Sequence, residues 1–157
     1  MNDSQRTEQT SRARADRKPA EVHPTKAEVQ ELDVARCWVY LRQANVGRLA
    51  VVVERRPDIF PVNYVVDHGT VVFRTASGSK LASAEGQPVA FETDGWDEAS
   101  GLTWSVVVRG RAEKAREPYE VLQAMGLPLT PWHPGAKPWF VRIEPDTITG
   151  REFTRVR

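Results

Sequence analysis

The sequence predicts a mainly β fold, a small and largely antiparallel barrel with a few short helices. Two observations carry this prediction. Runs of β-branched and aromatic residues recur along the chain, and tight turns separate most of them. Six or seven strands spaced so closely favour a closed sheet over alternating strands and helices, because closure removes exposed strand edges.

The size and composition indicate one globular domain. The chain has 157 residues, 40% of them hydrophobic, which is enough for an ordinary core. Its 22 Lys and Arg and 21 Asp and Glu leave a net charge of +1, so we expect no nucleic-acid partner. No apolar run approaches the ~20 residues that span a bilayer. We therefore expect a cytoplasmic protein without a membrane partner.

The first 31 residues are predicted to be a disordered tail, and residues 32–157 to form the folded domain. The tail combines six Lys and Arg with six Asp and Glu and has few aliphatic side chains. Such a segment cannot bury enough apolar area to offset the entropy lost on ordering it.

A first helix is predicted to begin at the N-cap Asp33 and to end near Ala44. Apolar residues at spacings of three and four form one face, namely Val34, Trp38 and Leu41. Cys37 is the single cysteine and falls in the same pattern. It predicts a buried, unreactive thiol rather than a nucleophile or a disulfide partner.

The apolar runs predict the strands, and the segments between the runs predict turns, short helices and a loop. Strands are predicted over residues 48–53, 59–66, 70–75, 89–92, 102–114 and 139–145, followed by a turn and a last short strand over 146–153. Pro61 has no N–H to donate to a ladder, so it predicts an edge, a bulge or a break. Short helices are predicted around 78–84 and over 117–125, and a lid-like or wall-forming loop over 126–138. The helix over 117–125 has one apolar face, formed by Tyr119, Leu122 and Met125.

The stretch from Phe73 to Leu81 is suited to binding a phosphate. Arg74, small hydroxyl residues, a glycine and Lys80 follow the end of a strand, just before a helix-compatible run. A helix N-terminus offers unpaired N–H groups, Arg74 can form two parallel bonds to a phosphate, and Lys80 adds a point charge. A polar turn with a solvated basic pair explains the same residues.

Five motifs in order resemble one known family. They are VGRLAVVV (46–53), PVNYVV (61–66), VFRTASGSKL (72–81), WSVVVRG (104–110) and ITGR (148–151). Together they resemble the pyridoxamine 5'-phosphate oxidase-like, flavin-binding split-barrel proteins, and among these the small bacterial members related to nitroimidazole-resistance proteins. The resemblance runs from about residue 32 to the C-terminus and implies a split β-barrel.

The resemblance also implies a homodimer with two flavin sites in clefts between the subunits. FMN is the implied ligand, with a deazaflavin as the alternative. Arg74, Thr75, Ser79 and Lys80, with Leu81 ending the motif, would take the phosphate. Pro61, Val62, Asn63 and Tyr64 would lie along the isoalloxazine ring. Trp104 and Ser105 of the other subunit would close the cleft.

The implied activity is hydride transfer to or from a small substrate, by a flavin-dependent oxidoreductase. A deazaflavin-dependent reductase and a non-enzymatic flavin-binding or storage protein are the alternatives. Only Arg151 and Arg155 stand where pyridoxamine phosphate oxidases proper carry basic and histidine-containing motifs, so vitamin B6 oxidation is not expected. Some nitroimidazole-resistance relatives have a histidine where Arg74 stands.

Several residues keep two interpretations, and no catalytic residue or metal site is assigned. Trp104 either touches the ring or belongs to the core, and Asn63 either contacts the ring or caps the strand break. His68 is predicted to be a solvated turn residue rather than a catalytic base. The histidines show no metal-ligand spacing.

Overall fold

The structure is a computed structural model that describes residues 28–76, 85–130 and 135–154. Most of the predicted tail lies outside the described residues. So do the predicted helix around 78–84 and, within the predicted loop, Trp132 and His133.

The described residues form seven strands and two helices. In chain order they are β1 (Gln30–Leu32), α1 (Val34–Gln43), β2 (Val46–Val53), β3 (Arg56–Asp67), β4 (Thr70–Thr75), β5 (Pro88–Trp96), β6 (Leu102–Lys114), α2 (Pro118–Met125) and β7 (Trp139–Thr154). The fold is mainly β, as predicted. β1 begins two residues before the predicted start of the folded domain at residue 32.

The strands close into a ring. The sheet order is β1-β7-β4-β3-β2-β5-β6, every ladder is antiparallel, and β6 also pairs with β7. Six strands therefore form a closed circuit, and β1 adds to it along the second half of β7. The predicted antiparallel barrel is confirmed.

The core fills the inside of this ring. Alternate residues of the strands point inward and are fully buried, among them Leu49, Val71, Phe91, Val106, Val108 and Ile143. Tyr64 packs edge-on against Phe91, with 4.7 Å between the ring centroids. Its hydroxyl donates to the backbone carbonyl of Leu41 at 2.7 Å, which ties the barrel core to α1.

Helix α1 has the predicted bounds and, except for Val34, buries the predicted residues, to which Tyr40 is added. Asp33 is the N-cap, and its Oδ1 accepts from the backbone N–H of Arg36 at 2.7 Å. The buried side chains of α1 are Cys37, Tyr40 and Leu41. The prediction for Val34 is wrong: its side chain is 54% exposed, because it stands in the first turn, ahead of the turns that lie on the barrel. The buried Cys37 thiol is confirmed.

Helix α2 packs through a different face from the one predicted. Glu117 and Glu120 form a capping box at its start. The predicted apolar face is exposed, with Tyr119, Leu122 and Met125 each about two-thirds accessible. α2 instead packs through Ala124 and Val121 on a smaller cluster outside the barrel, which also holds Val72 and Phe140.

Strand β7 is continuous, so the predicted turn after Pro145 is wrong. Pro145 lies opposite Gly110, at the point where the β6–β7 ladder shifts register between Arg109 and Gly110. A Cβ on Gly110 would overlap the carbonyl of Glu144, so glycine is needed for this close approach. The register shift accommodates the proline without ending the strand.

Pro61 does not break β3. It lies opposite Arg48 of β2, while the described β3–β4 ladder begins at Tyr64 and ends at Asp67. Pro61 therefore stands where β3 is laddered to β2 alone, which is the predicted edge position. Among the described helices, none has the length and apolar character to span a membrane.

Candidate functional site

The end of β4 holds the described part of the predicted phosphate site. Arg74 is partly buried, and its Nε donates to the backbone carbonyl of Lys137 at 2.8 Å. Its guanidinium carbon lies 5.1 Å from the centroid of the Phe140 ring. Within the described residues, its two terminal nitrogens have no partner, so an oriented guanidinium presents two donors to an anion. Thr75 is buried beside it. Ser79, Lys80 and Leu81 lie outside the described residues.

The predicted ring-binding segment of β3 lies next to this strand end. The β3–β4 ladder stops at the pair Tyr64–Phe73, so Asn63 is the next residue along β3 and Arg74 the next along β4. The structure therefore places the Pro61–Asn63 stretch beside Arg74, the first residue of the predicted phosphate site. Val62 is buried, whereas Pro61 is exposed.

Tyr64 belongs to the core rather than to an open surface. Its side chain is buried, its hydroxyl is bonded to Leu41, and its backbone N–H donates to the carbonyl of Asn45 at 3.1 Å. Burial is the main cause that raises the pKa of Tyr64 to about 12. A contact between its side chain and a ligand would require the core to open.

Trp104 and Ser105 are laddered to the opposite end of β7 from Arg74. Arg74 pairs with Phe140 near the start of β7, whereas Trp104 pairs with Glu152 near its end, twelve residues later. At about 3.3 Å per residue, this is a path of up to ~40 Å along the strand. The two halves of the predicted site are therefore laddered to opposite ends of β7.

Trp104 is stacked on Tyr40 of α1. The ring centroids are 4.6 Å apart and the ring planes differ by 10°. Trp104 is only 9% exposed and lies against Gly95, where a Cβ would come within 2.5 Å of the indole. The side chain is thus largely core, and it also lines a cleft.

This cleft, of about 540 Å³, lies between α1 and the hairpin of β5 and β6. Its lining includes Arg36, Tyr40, Gln43, Trp96, Asp97, Ser100, Leu102 and Trp104. Of these, only Trp104 was predicted from the sequence. The others stand on α1 and on the ends of β5 and β6 with the loop between them, which come together only through the closure of the barrel.

A polar cluster lies at the wall of the cleft. The Tyr40 hydroxyl donates to Glu152 and accepts from Arg36 Nη2 at 3.0 Å, and Arg36 Nη2 is 4.0 Å from the Glu152 carboxylate. Burial and then the hydrogen bond to Glu152 raise the pKa of the Tyr40 hydroxyl, so it stays neutral. The sequence signal for this cluster is only the i, i+4 spacing of Arg36 and Tyr40.

Lys114 lies close to the end of β4 as well. Its Nζ lies 3.0 Å from the centroid of the Trp139 ring, and Trp139 pairs with Thr75. No group of three or more potential metal ligands occurs in the part of the chain that the structure describes.

His68 is a turn residue, as predicted. Its side chain is 86% exposed, and its Nδ1 lies 2.8 Å from Asp67 Oδ1. The described residues give it no cleft and no second polar partner.

A sequence model of the family described as pyridoxamine 5'-phosphate oxidase matches residues 33–152. An uncharacterized protein of Mycobacterium tuberculosis is 36% identical over 129 residues, which cover 78% of this chain and 84% of that protein.

Two solved structures are similar in both sequence and fold. The FAD binding protein of Mycobacterium smegmatis is 38% identical with a TM-score of 0.69, and the match covers 80% of this chain and 98% of that one. A Corynebacterium glutamicum protein provisionally described as a pyridoxamine 5'-phosphate oxidase is 40% identical with a TM-score of 0.73, covering 82% and 96%. A Bacteroides thetaiotaomicron structure described as a 5-nitroimidazole resistance protein shares the fold at 14% identity.

Proposed function

Because the chain belongs to the pyridoxamine 5'-phosphate oxidase family, we propose that it binds a flavin nucleotide without a covalent link and works as a flavin-dependent oxidoreductase on a small substrate. The observation that carries the proposal is the oriented guanidinium of Arg74 at the end of β4, beside the Pro61–Asn63 stretch of β3. This donor set fits the phosphate of a flavin nucleotide.

The similar proteins support a flavin cofactor, and FMN and FAD are the two candidate nucleotides. The M. smegmatis protein, which is 38% identical, is named for binding FAD, whereas the sequence motifs predict FMN. FMN carries one phosphate and FAD two. The guanidinium of Arg74 supplies positive charge for either nucleotide.

The site is shared between two copies of the chain. One copy supplies Arg74, Thr75 and the β3 segment, and the other supplies Trp104 and Ser105. Support comes from the separation of Arg74 and Trp104 along β7, which keeps one chain from forming both walls of a site.

When bound, the flavin supplies the redox chemistry, as a carrier of a hydride between donor and acceptor. The residues of the chain hold it in place. Arg74 binds the phosphate and fixes the end of the cofactor. The β3 segment would lie along the ring. Such a reaction needs no protein acid or base, so the absence of an assigned catalytic residue is compatible with an enzyme.

The visible spectrum of the purified protein tests the proposal. Flavin absorption bands are expected, and chromatography of the cofactor released by heat identifies FMN or FAD. A colourless protein is titrated with FMN, FAD and a deazaflavin, with binding followed by fluorescence. A protein that carries no flavin and binds neither FMN nor FAD would contradict the proposal, and uptake of deazaflavin alone would favour the deazaflavin-dependent reductase.

The oxidoreductase part has its own test. Under anaerobic conditions, NADH or NADPH should bleach the bound flavin, and a later addition of an electron acceptor should restore its colour. A bound flavin that neither nicotinamide nucleotide reduces would favour a storage protein over an enzyme.

A further inference from the structure

The outward side of four neighbouring strands, β3, β2, β5 and β6, forms one continuous surface, which we call the outer sheet face. Leu49, Phe91 and Val108 of these strands point into the core, so the residues that alternate with them point outward. Strands about 4.8 Å apart make the face about 14 Å wide from β3 to β6. Two rows of paired residues cross it, with Pro61, Arg48, Glu92 and Val107 in one row and Ile59, Ala50, Ala90 and Arg109 in the next.

The outer sheet face presents residues from both halves of the proposed flavin site. Pro61 and Asn63 point outward at its β3 edge and Ser105 at its β6 edge, because the residues on either side of each pack in or against the core. Trp104 is one of those core residues, so β6 presents Ser105 on this face. Side chains that point outward from one convex sheet diverge, so the two edges of one copy cannot enclose a ligand between them. A second copy is needed to bring a β6 edge opposite the β3 edge.

Much of the outer sheet face is apolar. Val52 and Ile59 are each 62% exposed, and a shallow groove of about 330 Å³ lies along β2 and β5. Its lining is mainly apolar and includes Ala50, Val52, Pro57, Pro88 and Ala90, with Arg109 and Asp146 as its charged members. Contiguous apolar surface on the outside of a folded domain is typical of a contact with another protein.

The charged groups of the face can pair with those of a second copy. Arg48 Nη1 donates to Glu92 Oε2 and Asp94 Oδ1, each at 2.8 Å, and the Arg48 side chain is still 53% exposed. Its Nε and Nη2, and the second carboxylate oxygen of Glu92, have no hydrogen-bond partner in the described parts of the chain. The two carboxylates are balanced by Arg48 and Arg109, so this part of the face carries no net charge that would repel a second copy.

We infer that a second copy of the chain docks on the outer sheet face about a two-fold axis that runs along the strands, between β2 and β5. A two-fold contact places the same patch of each copy against the other. This axis sets β2 of one copy over β5 of the other, so Arg48 faces the partner's Glu92 and Ala50 faces the partner's Ala90. The unused donors of Arg48 then bind the free oxygen of the partner's Glu92.

The same axis completes the flavin site twice. β3 of each copy comes over β6 of the other, and the convex faces curve apart there, so a cleft opens at each edge. Pro61 and Asn63 line one wall of each cleft, and the partner's Ser105 lines the other. This inference rests on the proposed function, because it names the surface through which the second copy reaches the shared flavin site.

Sedimentation velocity of the full chain tests the docking surface. The wild type should sediment as a dimer, at twice the 17.7 kDa mass of one chain. Val52→Arg places a charge in the apolar part of the face and should raise the dissociation constant of the dimer about tenfold or more. Leu122→Arg is the matched control, because Leu122 is 69% exposed on α2, outside the face, and should leave the dimer intact. A wild type that sediments only as a monomer would assign the face to another partner and overturn the inference, and so would equal dissociation constants in the wild type and Val52→Arg.

A mixing experiment tests the two-fold pairing itself. Arg48→Glu puts a carboxylate opposite the partner's Glu92, and Glu92→Arg puts a guanidinium opposite the partner's Arg48. Each variant alone should be monomeric, because like charges then face each other. An equimolar mixture should form a heterodimer, because both facing pairs become opposite in charge while the Arg48–Glu92 pair within each chain stays broken. Variants that dimerise alone as the wild type does, or a mixture that stays monomeric, would overturn the pairing.

Titration with FMN and FAD separates this inference from the function it rests on. Val52 lies outside the proposed flavin site, so a loss of flavin affinity in Val52→Arg, expected to be about tenfold or more, reports the missing second copy. A monomeric Val52→Arg protein that binds flavin as the wild type does would overturn the link between this surface and the flavin site. If the wild-type dimer binds no flavin, the proposed function fails, and the sedimentation and mixing results still decide the docking surface.

Discussion

The Tyr40 hydroxyl donates a hydrogen bond to the Glu152 carboxylate, which joins α1 to β7 across 112 residues of sequence. Glu152 pairs with Trp104 in the β6–β7 ladder, and Trp104 stacks on the Tyr40 ring. One tyrosine therefore fixes the helix to the barrel through its ring and its hydroxyl together. The same contact orients Arg36 toward the cleft.

Tyr40→Phe should destabilise the fold while keeping the aromatic stack. The substitution removes a hydroxyl that bonds the carboxylate of Glu152, whose side chain is only 19% exposed. We expect a loss of about 1–3 kcal/mol in the free energy of unfolding, because the carboxylate keeps only the more distant Arg36. Urea denaturation followed by tryptophan fluorescence measures the loss.

Tyr119→Phe is the matched control. Tyr119 is 67% exposed on α2, and its hydroxyl accepts a hydrogen bond from Gln123 at the surface. Removing it should change the free energy of unfolding by less than about 0.5 kcal/mol. Equal losses in the two variants would contradict the structural role given to Tyr40.

Gly47→Ala should destabilise the barrel at the junction of β2 and β5. A Cβ on Gly47 would overlap the ring of Phe91 and come within 2.8 Å of the Glu92 carbonyl. Phe91 is fully buried and cannot move without opening the core. A loss of about 1–3 kcal/mol is expected from overpacking, measured by thermal or urea unfolding.

Gly126→Ala controls for the general effect of replacing a glycine. Gly126 has an ordinary helical φ of −78°, and its Cβ would meet only the Gln123 carbonyl at 3.4 Å. This variant should be close to neutral. A Gly47→Ala protein as stable as Gly126→Ala would show that the Phe91 ring has room to move.

The sequence predicts the barrel well because the cap, the strands and the edge position each depend on residues that are neighbours in the chain. The Asp33 cap, the β-branched runs of β2 and β6 and the edge position of Pro61 each follow from a few neighbouring residues. The continuity of β7 through Pro145 depends instead on Gly110 of another strand, which permits the register shift. Such a contact cannot be inferred from the neighbours of Pro145 alone.

The two parts of the candidate site differ in the same way, since one follows from short-range strand pairing and the other does not. Arg74 and the Pro61–Asn63 stretch stand on adjacent strands of one meander, so their meeting can be predicted from short-range pairing. The cleft at Arg36 needs α1, the β5–β6 hairpin and the end of β7 at once. The apolar face predicted for α2 is exposed because amphipathic spacing shows that an apolar stripe exists but not whether another element covers it.

Arg74→Ala should weaken the binding of phosphate-bearing flavins and leave riboflavin unaffected. Riboflavin has the ring without the phosphate, so it reports on the rest of the site. Losing a charge-assisted bond of roughly 1.5–3 kcal/mol corresponds to about a 10- to 150-fold rise in Kd for FMN or FAD. Quenching of flavin fluorescence measures the affinities. Arg74→Ala combined with Lys80→Ala should weaken binding further.

Arg56→Ala is the control for the loss of a positive charge. Arg56 is exposed at the start of β3, away from the end of β4. It should bind FMN and FAD as the wild type does. An unchanged affinity for these two in the Arg74→Ala and Lys80→Ala double variant would refute the phosphate site.

The Asp67–Arg142 pair should make stability depend on pH in the acid range. Asp67 Oδ2 lies 2.7 Å from Arg142 Nη1, and the two side chains are 15% and 16% exposed. Burial alone would raise the pKa of Asp67, but the hydrogen bonds and charges of Arg142 and His68 outweigh it and lower that pKa below its ordinary 3.8. The pair thus favours the ionised carboxylate in the folded state.

The direction in which stability changes with pH follows from proton binding by Asp67. A carboxyl group with a lower pKa in the folded state binds fewer protons there than in the unfolded chain. Its contribution to stability is therefore complete above about pH 5 and is lost as the pH falls through the folded-state pKa. Asp67→Asn should cost about 1–3 kcal/mol at pH 7 and flatten the acid side of the stability curve, measured by urea unfolding between pH 2.5 and 7. Asp146→Asn, at an exposed position of β7, should keep the wild-type curve, and an Asp67→Asn curve as steep as that control would assign the acid dependence to other carboxyl groups.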